Sequence, residues 1–110
     1  MTDVLLVFTT FASEEDAVRV ARALVEERLA ACGTVLPGAR SIYRWRDEVA
    51  DEREVVTLLK TRSREWPVLL ARLHELHPYD TPECVAVPAA AVAPKYLAWL
   101  EQALAPEGGR

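Results

Sequence analysis

The sequence lacks the features that mark several large classes of protein. No uncharged run approaches the ~18 residues that a membrane-spanning helix needs, and Met1-Thr2-Asp3 lacks the basic start of a signal peptide. The net charge is −4, with acidic and basic residues interspersed, which argues against a nucleic-acid-binding face. There are only 4 glycines, and they form no glycine-rich phosphate loop. We therefore expect a cytoplasmic protein that binds neither membranes nor nucleic acids, and we expect its 2 cysteines to be free thiols.

What the sequence does contain fits one globular domain. Its 110 residues are 51% apolar and 27% charged, which suffices for one core but not for two. We predict a single domain over residues 1–105 and a frayed tail over residues 106–110.

The first third of the chain predicts a strand followed by a helix. Residues 4–10 form an apolar run without alternation, typical of a central strand that is buried on both faces. Ser13, followed by three carboxylates, is a typical helix N-cap. Apolar residues then recur at helical spacing, so the helix is predicted to run to about Ala31.

The middle of the chain predicts an unusually long β-hairpin. Residues 34–36 and 41–46 favour strand on either side of a kink at Pro37-Gly38, and residues 55–61 favour the returning strand. The charged residues 47–52 between them are predicted to form the turn. Because Tyr43 and Trp45 share one side of the hairpin, far from any predicted core, we expect another subunit to cover them.

The last third predicts a helix, a strand and another helix. The helix that begins near Trp66-Pro67 must stop before Pro78, residues 84–87 favour a fourth strand, and Pro94 begins a third helix. The order β-α-β-β-α-β-α predicts an α+β fold, a ferredoxin-like sandwich with an extra C-terminal helix. Because the helices cover one face of the sheet, the other face requires an oligomeric partner.

The proline-bounded loop of residues 77–83 is the first candidate for a functional site. His77 and Thr81 each precede a proline and should be extended. The loop also carries Tyr79, Asp80 and Glu83, so it offers groups that can hold a proton, a metal or an anion. The alternative is structural, with Tyr79 packing as a plug, Glu83 capping a neighbouring group and His77 only ending the helix.

Further candidate residues lie outside this loop. Lys60 either extends towards solvent at the end of the sheet or acts as a fixed cation in a site. His74 and His77 have the spacing of a two-histidine metal site, but Pro78 should draw His77 out of the helix. Cys32 with His77 or Glu83 is a better soft-metal set, and Cys84 is predicted to be a small core residue.

Four motifs stand in a characteristic order along the chain. They are Glu27 to Cys32, Pro37-Gly38 with Ser41 to Trp45, Leu59-Lys60-Thr61, and His77 to Glu83. Together they resemble the CutA divalent-cation-tolerance family. The resemblance implies a ferredoxin-like subunit in a tight trimer whose long hairpins cross between neighbours. It also implies a role in the tolerance of heavy metals, copper above all, and an architecture similar to that of PII-type signalling trimers.

The resemblance further implies a ligand cleft. Carried over residue by residue, that cleft is formed by Cys32, Trp45, Lys60, His77, Tyr79 and Glu83, of which Cys32, His77 and Glu83 are the implied metal ligands. The implied ligand is copper or another divalent ion, or a small anion, and no other cofactor is expected. The sequence departs from the family's pattern at Gly33-Thr34 and at Asp47-Glu48, where a Gly-Lys turn is usual, so the hairpin tip is more acidic.

Three functions are compatible with these residues. The first is a cytosolic homotrimer that responds to and binds metal ions, and the second is a PII-like sensor of a small molecule or anion, using Lys60 and Trp45. The third is a thiol enzyme with Cys32 as nucleophile, but no oxyanion-hole signature accompanies it, so we predict a non-catalytic protein. Because the predicted topology separates the loop from Cys32 and Lys60, we expect the cleft to form between subunits.

Overall fold

The computed structural model describes residues 2–106. Its elements are β1 (Val4–Phe11), α1 (Glu14–Glu26), β2 (Cys32–Trp45), β3 (Glu48–Arg62), α2 (Trp66–Leu76), β4 (Val85–Pro88) and α3 (Pro94–Leu104). The predicted α+β class, with a third helix at the C-terminal end, is confirmed. Apart from Pro106, the predicted frayed tail lies outside the described residues. No helix within residues 2–106 is long and apolar enough to cross a membrane.

One antiparallel sheet, with strand order β2-β3-β1-β4, organises the chain. The apolar strand β1 lies in its interior, as predicted. Because side chains alternate along a strand, the odd-numbered residues of β1 and β3 face α1 and α2, and the even-numbered residues face away. The main core is therefore built from odd-numbered strand residues such as Val7 and Leu59, packed against Leu24 and Leu69 of the helices.

Helix α1 begins as predicted but ends earlier. The Ser13 hydroxyl accepts a hydrogen bond from the Asp16 amide at 3.1 Å, and three carboxylates occupy the first turn. The predicted end at Ala31 is wrong, because α1 stops at Glu26 and Arg28 adopts a left-handed φ of 59°. This turn carries Ala30, only 1% exposed, into the core before β2 begins.

The hairpin is longer than the charge pattern suggested. The predicted turn over residues 47–52 is wrong, because residues 48–52 belong to β3 and only Arg46 and Asp47 form the turn, with φ of 52° and 68°. Two residues with positive φ are typical of the tight turns that fit the twist of a hairpin. The charged residues stay in the strands because they pair across the hairpin. For example, Arg40 donates hydrogen bonds from Nε and Nη2 to the two carboxylate oxygens of Asp51, at 2.7 and 2.9 Å.

The predicted kink in β2 is present as a bulge between Leu36 and Ala39, where Gly38 has a φ of 88°. Across the bulge, β2 advances by three residues while its partner β3 advances by only two. Even-numbered residues of β2 before the bulge therefore share a face with odd-numbered residues of β2 after it. The bulge therefore places Tyr43 and Trp45 on the face that points away from α1 and α2. The fourth strand is shifted by one residue from its predicted position at 84–87, and β4 begins at Val85.

One face of the sheet is left largely uncovered by the chain itself. We call it the open sheet face and define it by Leu6, Phe8, Leu36, Val56, Leu58, Val85 and Val87. Leu36 and Val85 are 50% and 52% exposed. Helix α3 covers only one end of this face, where Leu100 and Leu104 form a small second core with Val4 and Ala31.

Candidate functional site

Five of the six residues predicted to form a ligand cleft lie in two groups at opposite ends of the open sheet face, and the sixth, His77, is buried. Cys32 and Lys60 lie at the end near α3, where they are directly paired across β2 and β3. Trp45, Tyr79 and Glu83 lie at the other end, and all three line one groove. Lys60 and Glu54, a residue of this groove, are six residues apart on β3, which corresponds to about 20 Å. A single chain therefore does not bring the six residues together.

The first group is held by Tyr96, and we call Cys32, Lys60 and Tyr96 the thiol–amine cluster. Lys60 Nζ donates a hydrogen bond to the Tyr96 hydroxyl at 3.2 Å, and Cys32 Sγ lies 3.6 Å from that hydroxyl. The pKa of Lys60 is raised, mainly because this hydrogen bond favours the ammonium form. Lys60 is thus a positioned cation beside a thiol. Sequence reasoning missed Tyr96, because its partners Lys60 and Cys32 lie on β3 and β2, far from α3 in the sequence.

The second group forms what we call the acidic groove, a cavity of about 810 Å³ beneath the hairpin. Its aromatic walls are Tyr43, Trp45 and Tyr79, and its carboxylates are Glu52, Glu54, Asp80 and Glu83. Sequence reasoning missed Glu52 because residues 47–52 were assigned to a turn. It missed Glu54 because the returning strand was predicted to begin only at residue 55. The spacing of Glu48, Glu52 and Glu54 is the signal that was available, since even-numbered positions share one face of an uninterrupted strand.

Two tyrosines position the groove's carboxylates. The Tyr43 hydroxyl donates to Glu52 Oε1 at 2.8 Å, and the Tyr79 hydroxyl donates to Glu54 Oε2 at 2.9 Å. Burial and the hydrogen bond to Glu54 raise the pKa of Tyr79 far above its ordinary value. The hydrogen bond to Glu52 likewise raises the pKa of Tyr43. Both phenols are therefore neutral donors at physiological pH, and the negative charge of the groove stays on the carboxylates.

His77 is buried and holds in place the loop that carries Tyr79, a wall of the groove. It is only 6% exposed and stacks on Phe11 with ring centroids 4.2 Å apart. Its Nε2 donates to the Thr10 carbonyl at 2.8 Å, and its Nδ1 accepts a hydrogen bond from the Tyr79 amide at 3.1 Å. These partners fix one neutral tautomer, and burial lowers the pKa of His77. Both ring nitrogens are thus engaged in holding the proline-bounded loop.

The predicted metal ligands do not converge within one chain. Among residues 2–106 there is no group of three or more His, Cys, Asp or Glu side chains arranged to hold a metal ion. Cys32 lies in the thiol–amine cluster, Glu83 lines the acidic groove and His77 is buried behind it. Their joint role in metal binding stays a prediction. His74, the other imidazole, is exposed and bonds to the Leu70 carbonyl at 3.0 Å.

Both cysteines are free thiols, as expected. Cys84 packs against the main core as a partly buried residue, in line with its predicted structural role. Burial raises the pKa of its thiol to about 11. Cys84 thus packs against the main core, whereas Cys32 lies on the open side of the sheet.

Comparisons with known proteins agree across nearly the whole chain. The family model of the CutA1 divalent ion tolerance protein matches residues 5–103. The divalent-cation tolerance protein CutA of Thermus thermophilus is 48% identical, over 93% of this chain and 97% of the relative, and that of Pectobacterium atrosepticum is 39% identical, over 94% of both. Among solved structures, CutA of Xylella fastidiosa superposes with a TM-score of 0.91 at 40% identity, covering 94% of this chain and all of that one.

Proposed function

This chain belongs to the CutA1 divalent ion tolerance protein family, and from that membership we propose that it serves in the cellular response to divalent and heavy metal ions, with copper as the bound metal. We propose a cytoplasmic location as well, which cell fractionation tests. A similar protein from Archaeoglobus fulgidus is described as periplasmic, and recovery of this chain in a periplasmic fraction would overturn the proposed location.

We propose that the working form is a homotrimer on the ferredoxin-like plan. The open sheet face supports this, because a soluble chain rarely exposes contiguous apolar surface of this kind without a partner. Leu36, Val85 and Val87 are 50%, 52% and 42% exposed on this face. Other copies of the chain are the natural cover, since in a cyclic trimer each subunit packs one of its surfaces against a different surface of its neighbour.

We further propose that the metal site is completed between subunits. The separation of about 20 Å along β3 carries this proposal, because it keeps Cys32 and Glu83 apart in one chain. In the assembly, the Cys32 thiol of one subunit and the Glu83 carboxylate of its neighbour both contribute to the site, and the thiolate is the ligand that favours copper. His77 joins as a ligand only by giving up a hydrogen bond, so its role within one chain is to position the loop.

Mixed trimers test this arrangement. Calorimetric titration with copper should show binding to the wild type and its loss in Cys32→Ser and in Glu83→Gln, while Cys84→Ser serves as the matched thiol control. Trimers mixed from Cys32→Ser and Glu83→Gln chains should regain binding at interfaces where two intact halves meet. If mixing restores nothing although each variant alone remains trimeric, the site lies within one subunit.

A second function is favoured by one observation. Lys60 makes no ion pair with a carboxylate among residues 2–106 and is held beside the Cys32 thiol and the Tyr96 hydroxyl, which suits a small anion. A PII-like sensor would use this cation with Trp45 of a neighbour. Thermal-shift measurements with nucleotides and simple anions test it, because binding to the native state raises Tm; Lys60→Ala should abolish any such shift.

We propose that the role is binding rather than catalysis. A thiol enzyme would need His77 beside Cys32 with Glu83 orienting the imidazole. Instead, both ring nitrogens of His77 are engaged, Nε2 by the Thr10 carbonyl and Nδ1 by the Tyr79 amide, so the imidazole does not serve as a base for a thiol. The assay is hydrolysis of thiol-reactive ester substrates, where the wild type should not exceed Cys32→Ser.

A further inference from the structure

A second groove runs along the edge strand β2, on the side of the sheet that faces the helices. We call it the edge groove, a cavity of about 540 Å³ lined mainly by Val18, Val25, Cys32, Gly33, Val35 and Trp99. Its volume is within the range of about 300–1,000 Å³ that is typical of small-molecule sites. Val18 and Trp99 are 40% and 46% exposed, so the groove offers apolar surface that the chain itself leaves uncovered.

Gly33 allows β2 to approach α1 closely beside the edge groove. A Cβ atom at this position would lie 3.0 Å from Leu59 Cδ2 and 3.1 Å from Ala21 Cβ, which is tighter than ordinary contact. A larger residue would therefore have to displace a side chain of the main core. Gly33 also belongs to one of the two places where the sequence departs from the family's pattern, so this close approach is a local feature of this chain.

The edge groove is continuous with the thiol–amine cluster. Cys32 belongs to both, and the Trp99 ring, which lines the groove, lies 5.3 Å from the Tyr96 ring between centroids. Lys60 Nζ lies 5.1 Å from the centroid of the same Tyr96 ring and donates a hydrogen bond to its hydroxyl. One phenol ring thus separates the ammonium from the indole. An apolar groove therefore ends beside a positioned cation.

The charges around the edge groove favour an anion. Arg22 and Glu26 also line it, and because both are exposed and of opposite sign they largely offset each other. The remaining charge is that of Lys60, which makes no ion pair with a carboxylate among residues 2–106. A cationic occupant would be repelled by this ammonium, and a neutral apolar one would leave it without a partner.

We propose that the edge groove binds a small amphipathic carboxylate, with the apolar body of the ligand along Val18 and Trp99 and its carboxylate on Lys60. An ammonium has three N–H donors, and Lys60 spends one on Tyr96, so two remain for the two carboxylate oxygens. This inference rests on the second candidate function, the sensor that uses Lys60 for an anion, and it adds the chemical class of the ligand.

Protection of the Cys32 thiol tests the inference, because an occupant of the edge groove covers it. The probe is octanoate, and the readout is the rate of alkylation by iodoacetamide, followed by peptide mapping. With octanoate at about ten times its dissociation constant, labelling of Cys32 should slow by about tenfold, since only the empty groove reacts. Acetate lacks the apolar body and octylammonium lacks the anionic head, so neither should slow it. Cys84 is the internal control and should react at one rate throughout.

Two variants locate the bound octanoate. Val18→Glu places a negative charge in the groove and Lys60→Met removes the cation, so each should abolish the slowing of Cys32 by octanoate. The matched control is Val68→Glu on α2, where the valine is also exposed, at 58%, and the slowing should persist. Comparing each variant with and without octanoate removes any change in the intrinsic reactivity of Cys32.

The outcomes separate this inference from the sensor on which it rests. Slowing by octanoate that survives in Val18→Glu or in Lys60→Met overturns the site, and equal slowing by acetate overturns the role of the apolar groove. If octanoate does not slow the wild type although simple anions still raise Tm through Lys60, this inference alone is wrong. If Lys60-dependent shifts in Tm are absent as well, the sensor is overturned together with it.

Discussion

The two faces of the sheet are built from alternate residues of the same strands, yet they reach very different burial. On the side of α1 and α2, Val55 and Leu59 are 7% and 1% exposed. On the open sheet face, Leu36 and Val85 are 50% and 52% exposed. The strands are apolar on both sides, but the helices of one chain cover only one of them. A single chain therefore covers one face of its sheet and leaves the other face, with both candidate sites, exposed; the proposed trimer would cover it.

Adjacent leucines on β3 test this comparison most strongly. Leu59 faces the helices and Leu58 faces the open side, so Leu59→Ala and Leu58→Ala remove the same atoms from different faces. Leu59→Ala should lower the free energy of unfolding by about 2–5 kcal/mol, the usual cost of a cavity in a packed core. Leu58→Ala should chiefly steepen the fall of Tm with dilution. Urea denaturation at two protein concentrations measures both, and indistinguishable variants would contradict the comparison.

His77 gives the covered side a pH dependence. Its folded pKa lies below the ordinary value of 6.5, because burial disfavours the imidazolium ion. Below about pH 6.5 the unfolded chain therefore binds a proton that the folded chain does not, so the free energy of unfolding should fall as pH falls from 6.5 towards the folded pKa. His77→Gln should remove this slope and cost about 1–3 kcal/mol at neutral pH. The exposed His74→Gln is the control, and an unchanged slope in His77→Gln would refute the assignment.

The two cysteines sharpen the comparison through their reactivity. Cys84 packs against the main core, and a thiol of pKa about 11 is ~0.1% thiolate at pH 8. Cys32 lies on the open side, next to the Lys60 ammonium. Alkylation of the native protein, followed by peptide mapping, should label Cys32 about tenfold faster or more. Equal rates, or faster labelling of Cys84, would show that the two thiols do not differ in this way.

The smallest expected effect concerns two hydroxyls in the main core. Thr9 and Thr57 are paired across β1 and β3, are 0% and 1% exposed, and have no hydrogen-bond partner for their side-chain oxygens within residues 2–106. Replacing both with valine keeps the shape and removes two unsatisfied groups. Thr9→Val/Thr57→Val should therefore leave the free energy of unfolding unchanged or raise it by about 1 kcal/mol. A clear loss in urea denaturation would mean that these hydroxyls have partners, such as a buried water.

Most of the fold was predictable from local signals. The Ser13 cap, the apolar run of β1 and the prolines at 67, 78 and 94 each act through neighbouring residues, and each marks an element boundary that the structure contains. The end of α1 and the charged part of the hairpin were not predictable in the same way. The first depends on a left-handed residue, Arg28, that no glycine announces. The second depends on cross-strand pairs such as Arg40 with Asp51, which appear only once the register is known.

The candidate site was predictable in its residues but not in its grouping. Cys32, Lys60, Tyr79 and Glu83 were all identified from the sequence, yet pairing along β3 separates the first two from the last two. Residues such as Tyr96 and Glu54 were missed because their partners come from distant elements. Register, rather than composition, decides which polar groups meet.

Light scattering of the wild-type protein across a hundredfold dilution tests the central claim most directly. That claim is that the open sheet face is completed by other copies of the chain, so that no stable folded monomer exists. The expected scattering mass is that of three chains, three times the 12.3 kDa of one, throughout the dilution. A compact, folded species of one chain at micromolar concentration would contradict it.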